Sequence, residues 1–560
     1  MWKPKEIDKE KEKLELKNGH NRIIARLLAS RSIESLDADY EHLMSPFDLH
    51  GVDEGTSLFL EVAKNKGNIG VISDYDVDGV ISNTMINEIC LVFGLNCKSI
   101  VPSRLEHGYG LNSNTVQAFK DKFGNEPPEL LFVVDCGSNN KKEVQELKDY
   151  GVQKVIIIDH HLIDQELFSS NADVVISWHL SNCHEMCTTV QIYHFVRGLF
   201  KKNSQIAPIE FLTYAALGII ADCSPVIENN RIIVSNGLKK FSIDHIVSAG
   251  FSQLLKELKI DPNKLTQNDI SFKIAPRINA IGRIGEANIA YGMMIEKDIV
   301  QSQQIIKYAM NFNNERKHIQ RKIEKEIDGY IQHGNYPYGI LAVDDSWHIG
   351  VVGIVASRVV EKYHKPVLVI GKNKDLFKGS GRSIPGVDIK KILDKCSHIF
   401  TNYGGHSAAV GVALDPQWLT KANKEFNKAC KEYYEENNIQ VEEVKHYDTT
   451  LKLKAVTDKN CEIINEYLYP FCQDNNPAPI FCLKNVTVHN CDLIEGNGWS
   501  LLKFELSQNG MNCPLKFKTF NEKFSPNLEG QTCNIYCSFP QSLGWGGVYE
   551  MDALDFEMID

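Results

Sequence analysis

No apolar run in these 560 residues approaches the roughly 18–20 needed to cross a bilayer. The opening stretch, MWKPKEIDKEKEKLELK, is charged and lacks the apolar core of a secretory leader, so a cytoplasmic location is expected. There is no excess of positive charge either: 61 Lys+Arg against 72 Asp+Glu leave −11. That excludes a basic-tail nucleic-acid binder and confines any polyanion site to a local patch. With 43% apolar and 24% charged residues, a disordered polyelectrolyte is excluded as well. The 15 cysteines contain no CxxC pair and read as reduced thiols. His179, Cys183, His184 and Cys187 cluster in WHLSNCHEMC, but structural zinc sites show closer pairs plus a second pair at a distance. The cluster therefore reads as ordinary side chains. No internal repeat is found.

What is present is a chain long enough for three or four domains, at about 100–200 residues each. Residues 21–45 carry apolar positions at helical spacing, with Ser32 and Ser35 as possible caps. From about residue 67 the pattern changes to short β-branched runs (GNIGVISDYD, ELLFVVDCG, VQKVIIIDHH, ADVVISWH) separated by helical stretches. This alternation predicts a parallel sheet buried on both faces, with functional residues at the carboxyl ends of its strands. Residues 299–331 have no Gly or Pro until Gly329 and predict one long, mostly solvated helix, basic at Arg316, Lys317, Arg321, Lys322 and Lys325. A second α/β segment follows to about 435, then a polar linker. From about 447, short alternating segments predict a small β-barrel or sandwich.

The predicted strand ends are unusually rich in ionisable groups. Asp74, Asp76 and Asp78 stand on alternate residues before Gly79. Three such carboxylates repel one another unless cations lie between them, and hard oxygen ligands suit Mg2+ or Mn2+. The same motif resembles a calcium-loop fragment, but those loops lie between helices. Asp135, then Asp159-His160-His161, then Asp222 in LGIIADCSP are read as three further strand ends. The plain alternative is a set of polar strand ends satisfied by their neighbours, which buried strands seldom accumulate in such number. Together they offer ligands for two ions, which suits in-line phosphoryl displacement. One imidazole among carboxylates favours Mn2+ somewhat over Mg2+.

These motifs, in this order, resemble the DHH phosphoesterase superfamily. VPSRLEHGYGLN (101–112), IAPRINAIGRIGEA (274–287), WHIGVVGIVASR (347–358), GSGRS (379–383), YGGHSAAVG (403–411) and YPFCQDNNPAPIF (469–481) narrow the resemblance to the RecJ single-stranded-DNA exonucleases. The resemblance implies an N-terminal helical segment (1–48) and a parallel-sheet DHH domain (49–240). A connector with the long helix (241–332), a smaller α/β DHHA1 domain (333–435) and an OB-fold-like barrel (447–560) would follow. It implies two divalent cations, Mn2+ or Mg2+, held by Asp76, Asp78, Asp135, His160 and Asp222, with Asp135 bridging. Related pyrophosphatases have a histidine where this chain has Ile72, so Asp74 is taken as its replacement. His161 would contact substrate or support the ligand shell, Asp159 would orient a histidine, and His406 would close on the scissile phosphate. Arg104, Arg277, Asn279, Arg283, Ser380 and Arg382 would bind nucleic-acid phosphate, with Arg104, Ser380 and Arg382 holding a 5′-phosphate. The arginines and Ser380 are also fork-shaped or hydroxyl donors in Gly- or Pro-rich contexts. Residues 358–395 hold ten Lys/Arg against four Asp/Glu, a basic patch on an acidic chain.

The implied activity is 5′-to-3′ hydrolysis of single-stranded DNA to mononucleotides by a monomer, in repair, recombination or replication. Single-stranded-DNA-binding protein or other repair proteins would be its partners. The barrel would extend the strand-binding groove. Two departures stand out: the family's small-residue stretch after the third strand appears as CTTVQIYHFVRGL, and PFGxxNP appears as PFCQDNNP. Two other readings are weighed. A DHH oligoribonuclease or cyclic-dinucleotide phosphodiesterase usually lacks the barrel and long helix, and an inactive replisome scaffold loses motif carboxylates that this chain keeps.

Overall fold

In the computed structural model the described residues are 2–559, except 32–37, 104–107, 109, 242–247, 286, 335, 374–375, 440–444, 473–475, 497–498 and 541–547. Ser32, Ser35 and Arg104 thus lie outside the described residues.

The β-branched runs form a five-stranded, all-parallel sheet in the order Cys97–Ile100, Ile69–Ser73, Leu130–Val134, Lys154–Ile158, Val174–Ile176. Its central strands are buried along their whole length because helices cover both faces, which is why they read as unbroken apolar runs. Ser73 pairs with Val134 and Val134 with Ile158, so the chain leaves three adjacent strands at one level. Asp74, Asp135 and Asp159 therefore emerge side by side.

Asp222 does not follow a strand, contrary to the expectation from the apolar run before it. FLTYAALGIIA belongs to the helix Ile209–Ala221, and Asp222 is its C-cap. This helix is buried on nearly every side, so it shows no amphipathic period and a short apolar run cannot be told from a buried strand.

The helix Ile299–His333 has 35 residues, about 52 Å at 1.5 Å per residue. Ser302, Ile306, Ala309 and Asn313 are buried near its start, and Ile323 and Ile327 enter a second core with Trp347 and Val351. It thus spans two packed bodies. The second body has a mixed sheet in the order Phe400–Gly405, Ala409–Leu414, Leu376–Arg382, Val367–Asn373, Ile340–Val343, with only the last pair parallel.

The C-terminal strands close on themselves. Ile480–Gly496 pairs with Trp499–Gln508, then Lys516–Thr519, Glu550–Met558 and Thr532–Ser538, which returns to Ile480–Gly496. In chain order the ring is 1-2-3-5-4-1 with the 3–5 pair parallel, an OB-like barrel. The N-terminal segment is not purely helical. Trp2–Pro4 is a strand parallel to Lys445–Tyr447, Trp2 stacks on Tyr536, and Ile24, Leu27 and Leu28 join the barrel core. A three-residue strand whose partner lies more than 400 residues away leaves no local pattern to read.

Candidate metal centre

Asp74, Asp78, Asp135 and Asp159 are each no more than 2% exposed. Asp76 caps the helix Val77–Val92, its Oδ1 accepting from Gly79 N at 3.2 Å. Gly79 is required: a Cβ there would lie 2.4 Å from Asp74 O. Asp135 sits at φ +61°, a left-handed conformation costly for a residue with a side chain and held here by its surroundings.

Two ligand groups form, and both contain Asp135. Potential donor atoms of Asp74, Asp76 and Asp135 lie within 4.8 Å of one another, as do those of Asp135, His160 and His161. His160 Nε2 is 3.4 Å from Asp135 Oδ1 and its Nδ1 is 4.0 Å from Asp222 Oδ2. Both Asp74 oxygens are buried without a well-formed hydrogen-bond partner. Burial, and then the charge of Asp76, push the Asp74 carboxyl up to about 8. Asp222 rises to about 7 through burial and Asp78, and Asp135 rises well above its ordinary value through burial and the charges of Asp78, Asp76, Asp74 and Asp222. Carboxylates crowded in this way, one of them with both oxygens buried, are a cation site by chemistry. The residues present fit divalent ions.

Asp78 is placed differently from its two neighbours. Its oxygens accept from Thr188 N (2.7 Å) and Thr189 N (3.0 Å), the first amides of the helix Thr188–Lys202. Those amides have no partner within the helix, and the helix dipole favours an anion there. Thr188 Oγ1 also donates to Asp135 Oδ1 at 3.0 Å. This threonine pair lies in the stretch where the sequence departs from the family's small residues, and nothing in its spacing marked it. A Ser or Thr opening a helix is the signal that could have found it.

Asp159 accepts from Ser138 N, His161 N and His161 Nδ1, the last at 2.8 Å. Burial alone would raise its pKa, but those hydrogen bonds and the nearby imidazoles hold it well below the carboxylate range. Burial likewise opposes charge on His161, yet the Asp159 hydrogen bond and charge hold it up at about 9. His161 thus stands beside Asp135 and His160 with its Nδ1 fixed by Asp159. His406, from the second body, lines the same cleft as Asp159 and His161.

The expected phosphate contacts divide. Arg382 Nη1 donates to Ser380 Oγ at 2.8 Å, so these two are neighbours. Asn279 Oδ1 accepts from Val77 N at 3.1 Å, which fixes the helix after the first aspartates. Arg277 donates to Phe272 O and Lys273 O. Arg283 and Asn279 line a cavity of about 220 Å³ with Cys223 and Arg316. Burial, then the charges of Arg283, Arg277 and Arg358, lower the pKa of Arg316. In the sequence Arg316 stands out only as part of a basic helix. In the His179–Cys187 cluster, His179 Nε2 lies 3.1 Å from His160 O, His184 pairs with Glu228, and Cys187 is buried beside Thr189. Among the described residues that cluster forms no metal site.

Comparison with known proteins gives the same outline. The N-terminal domain of the DHH family matches residues 68–219, and the DHHA1 domain matches 335–432. The chain is similar to the single-stranded-DNA-specific exonuclease RecJ of Haemophilus influenzae, 27% identical over 75% of this chain and 76% of that protein. It is likewise 27% identical to the RecJ of Bacillus subtilis, over 85% of this chain and 60% of that protein. Among solved structures, RecJ of Thermus thermophilus in complex with Mn2+ superposes with a TM-score of 0.74 at 21% identity, covering 96% of this chain and 75% of that one. A manganese-bound exonuclease RecJ superposes at 0.60 with 25% identity, over 71% of this chain and 99% of that one. The chain thus carries the DHH and DHHA1 domains in this order and is similar to the RecJ exonucleases over most of its length.

Proposed function

We propose that the protein is a divalent-metal-dependent exonuclease that hydrolyses single-stranded DNA from the 5′ end to mononucleotides. The observation that carries this reading is Asp135, whose carboxylate belongs to both ligand groups and so can bridge two ions. Asp74 and Asp76 would complete one position, and His160, Asp222 and Asp78 the other. When bound, a pair of Mn2+ or Mg2+ ions supplies an activated water and clamps the oxygens of the displacement.

The remaining work falls to the chain's own residues. His161, kept in one orientation by Asp159, can donate to a phosphate oxygen or the departing oxygen. His406 would close over the same phosphate from the second body. Ser380 and Arg382 form one donor pair, suited to a terminal phosphate. Arg277, Arg283 and Arg316 gather positive charge at a second point, where Arg277 and Arg316 each keep a buried Nε without a partner. Direction, product and the preference for DNA come from the RecJ likeness.

The test is digestion of 5′- and 3′-end-labelled single-stranded DNA, duplex DNA and RNA with Mn2+ present or chelated. Mn2+-dependent release of mononucleotides from the 5′ end of single-stranded DNA is expected. Equal digestion of duplex, preference for RNA, or activity in chelator would overturn the reading.

A further inference from the structure

We propose that Leu162 is a specificity-determining contact for the nucleobase of the 5′-terminal nucleotide, a role that rests on the exonuclease reading above. A cleft of about 560 Å³ beside the candidate metal centre is lined by Leu111, Cys136, Asp159, His161, Leu162 and His406, among others. That volume suits one small ligand, such as a nucleotide. The floor is polar, built on the Asp159–His161 pair. Leu162, the next residue, is 59% exposed.

A single exposed leucine is ordinary on a protein surface. This one is held in place. Asn139 Nδ2 donates to Leu162 O at 2.7 Å, and Asn139 Oδ1 accepts from Asp164 N at 2.8 Å. One carboxamide thus grips the backbone on both sides of Ile163 and fixes where the Leu162 side chain starts. Pre-organisation of this kind lowers the ordering cost of a contact. Leu162 is two residues from His160, at most roughly 7 Å along the chain. A phosphate held beside His160 would leave its nucleoside within reach of Leu162, in a cleft that His406 also lines.

Leucine offers neither donor nor acceptor, so it senses whether a base is present and not which base it is. Sequence-tolerant apolar contact is what a nuclease without sequence preference requires.

The experiment compares 5′-phosphorylated strands whose first nucleotide is intact or abasic, with full-length protein and Mn2+. In the wild type the abasic strand should show a kcat/KM lower by roughly five- to tenfold, the size expected for half a leucine's burial. Leu162→Ala should slow the intact strand by that factor and bring the ratio close to one, and Leu162→Met should restore it. Mn2+ affinity should be unchanged in both variants. A wild-type ratio near one, or an unchanged ratio in Leu162→Ala, overturns the role of Leu162 while the exonuclease reading stands. No Mn2+-dependent hydrolysis of either strand overturns both.

Discussion

The second α/β body and the C-terminal barrel carry opposite charge. Residues 358–395 hold ten basic and four acidic side chains, whereas residues 445–560 hold nine lysines, no arginine and fifteen acidic side chains. Much of the barrel's positive charge is also consumed internally: Lys503 pairs with Glu550, Lys516 with Glu505, Lys518 with Asp552 and Lys523 with Asp555. Lysine pairs occur in the second body too, such as Lys390 with Asp394, but they leave a surplus there. An OB-like ring does not make a DNA groove by topology alone, because binding a phosphate backbone requires net positive charge. The expectation that the barrel extends the strand-binding groove runs against its charge. On the proposed function, the positive charge available to a polyanion lies in the second α/β body and the helix that leads into it.

The sharpest contrast is between the metal centre and the barrel. Asp76→Ala, Asp135→Ala and His160→Ala should each lower kcat by about a thousandfold or more, since each would remove a proposed ion ligand. Lys516→Ala in the barrel should leave kcat within about twofold, the effect of a surface pair. Single-turnover digestion of labelled strands checks both, and near-wild-type rates in a metal-centre variant would remove that residue from the ligand set.

End recognition should come next in size. Arg382→Ala should erase most of the preference for a 5′-phosphate over a 5′-hydroxyl strand, at about ten- to a hundredfold. Competition between the two strands measures it, and a wild type without the preference would take the Ser380–Arg382 pair out of the account.

The helix amide site gives a smaller and more specific effect. Thr188→Val removes the donor to Asp135 while keeping shape, and should weaken Mn2+ binding by about tenfold, as loss of a ligand's supporting hydrogen bond does. Thr188→Ser should restore it. Calorimetric Mn2+ affinity reads this directly, and unchanged affinity in Thr188→Val would make that hydrogen bond incidental.

The smallest effect tests the charge contrast itself. Lys378→Ala or Lys391→Ala should each reduce the slope of log affinity against log salt by about 0.7, while Lys484→Ala or Lys516→Ala should leave it unchanged. A flatter slope in the barrel variants would show that the barrel holds the strand after all.

Much of this was legible in the sequence wherever one local pattern decided the outcome. Buried parallel strands announced themselves as β-branched runs ending in Asp74, Asp135 and Asp159, and the long helix announced itself by lacking breakers. The misses have one cause in common. Asp222 ends a helix with no exposed face, so no period was visible. Trp2–Pro4 becomes a strand only because Lys445–Tyr447 lies beside it. Thr188 and Thr189 matter through Asp78, 110 and 111 residues away. Buried Arg31 closes on Asp448 and Asn476 across more than 400 residues. Contacts between distant segments are set by tertiary packing, and a pattern of neighbours does not contain them.

The central claim is that Asp135 is shared by two ions. Isothermal titration of Mn2+ into the chelator-stripped full chain tests it most directly, with Asp135→Asn alongside. Two ions per chain in the wild type and no more than one at comparable affinity in Asp135→Asn are predicted. A wild type that binds a single ion, or an Asp135→Asn variant that still binds two with undiminished affinity, would contradict it.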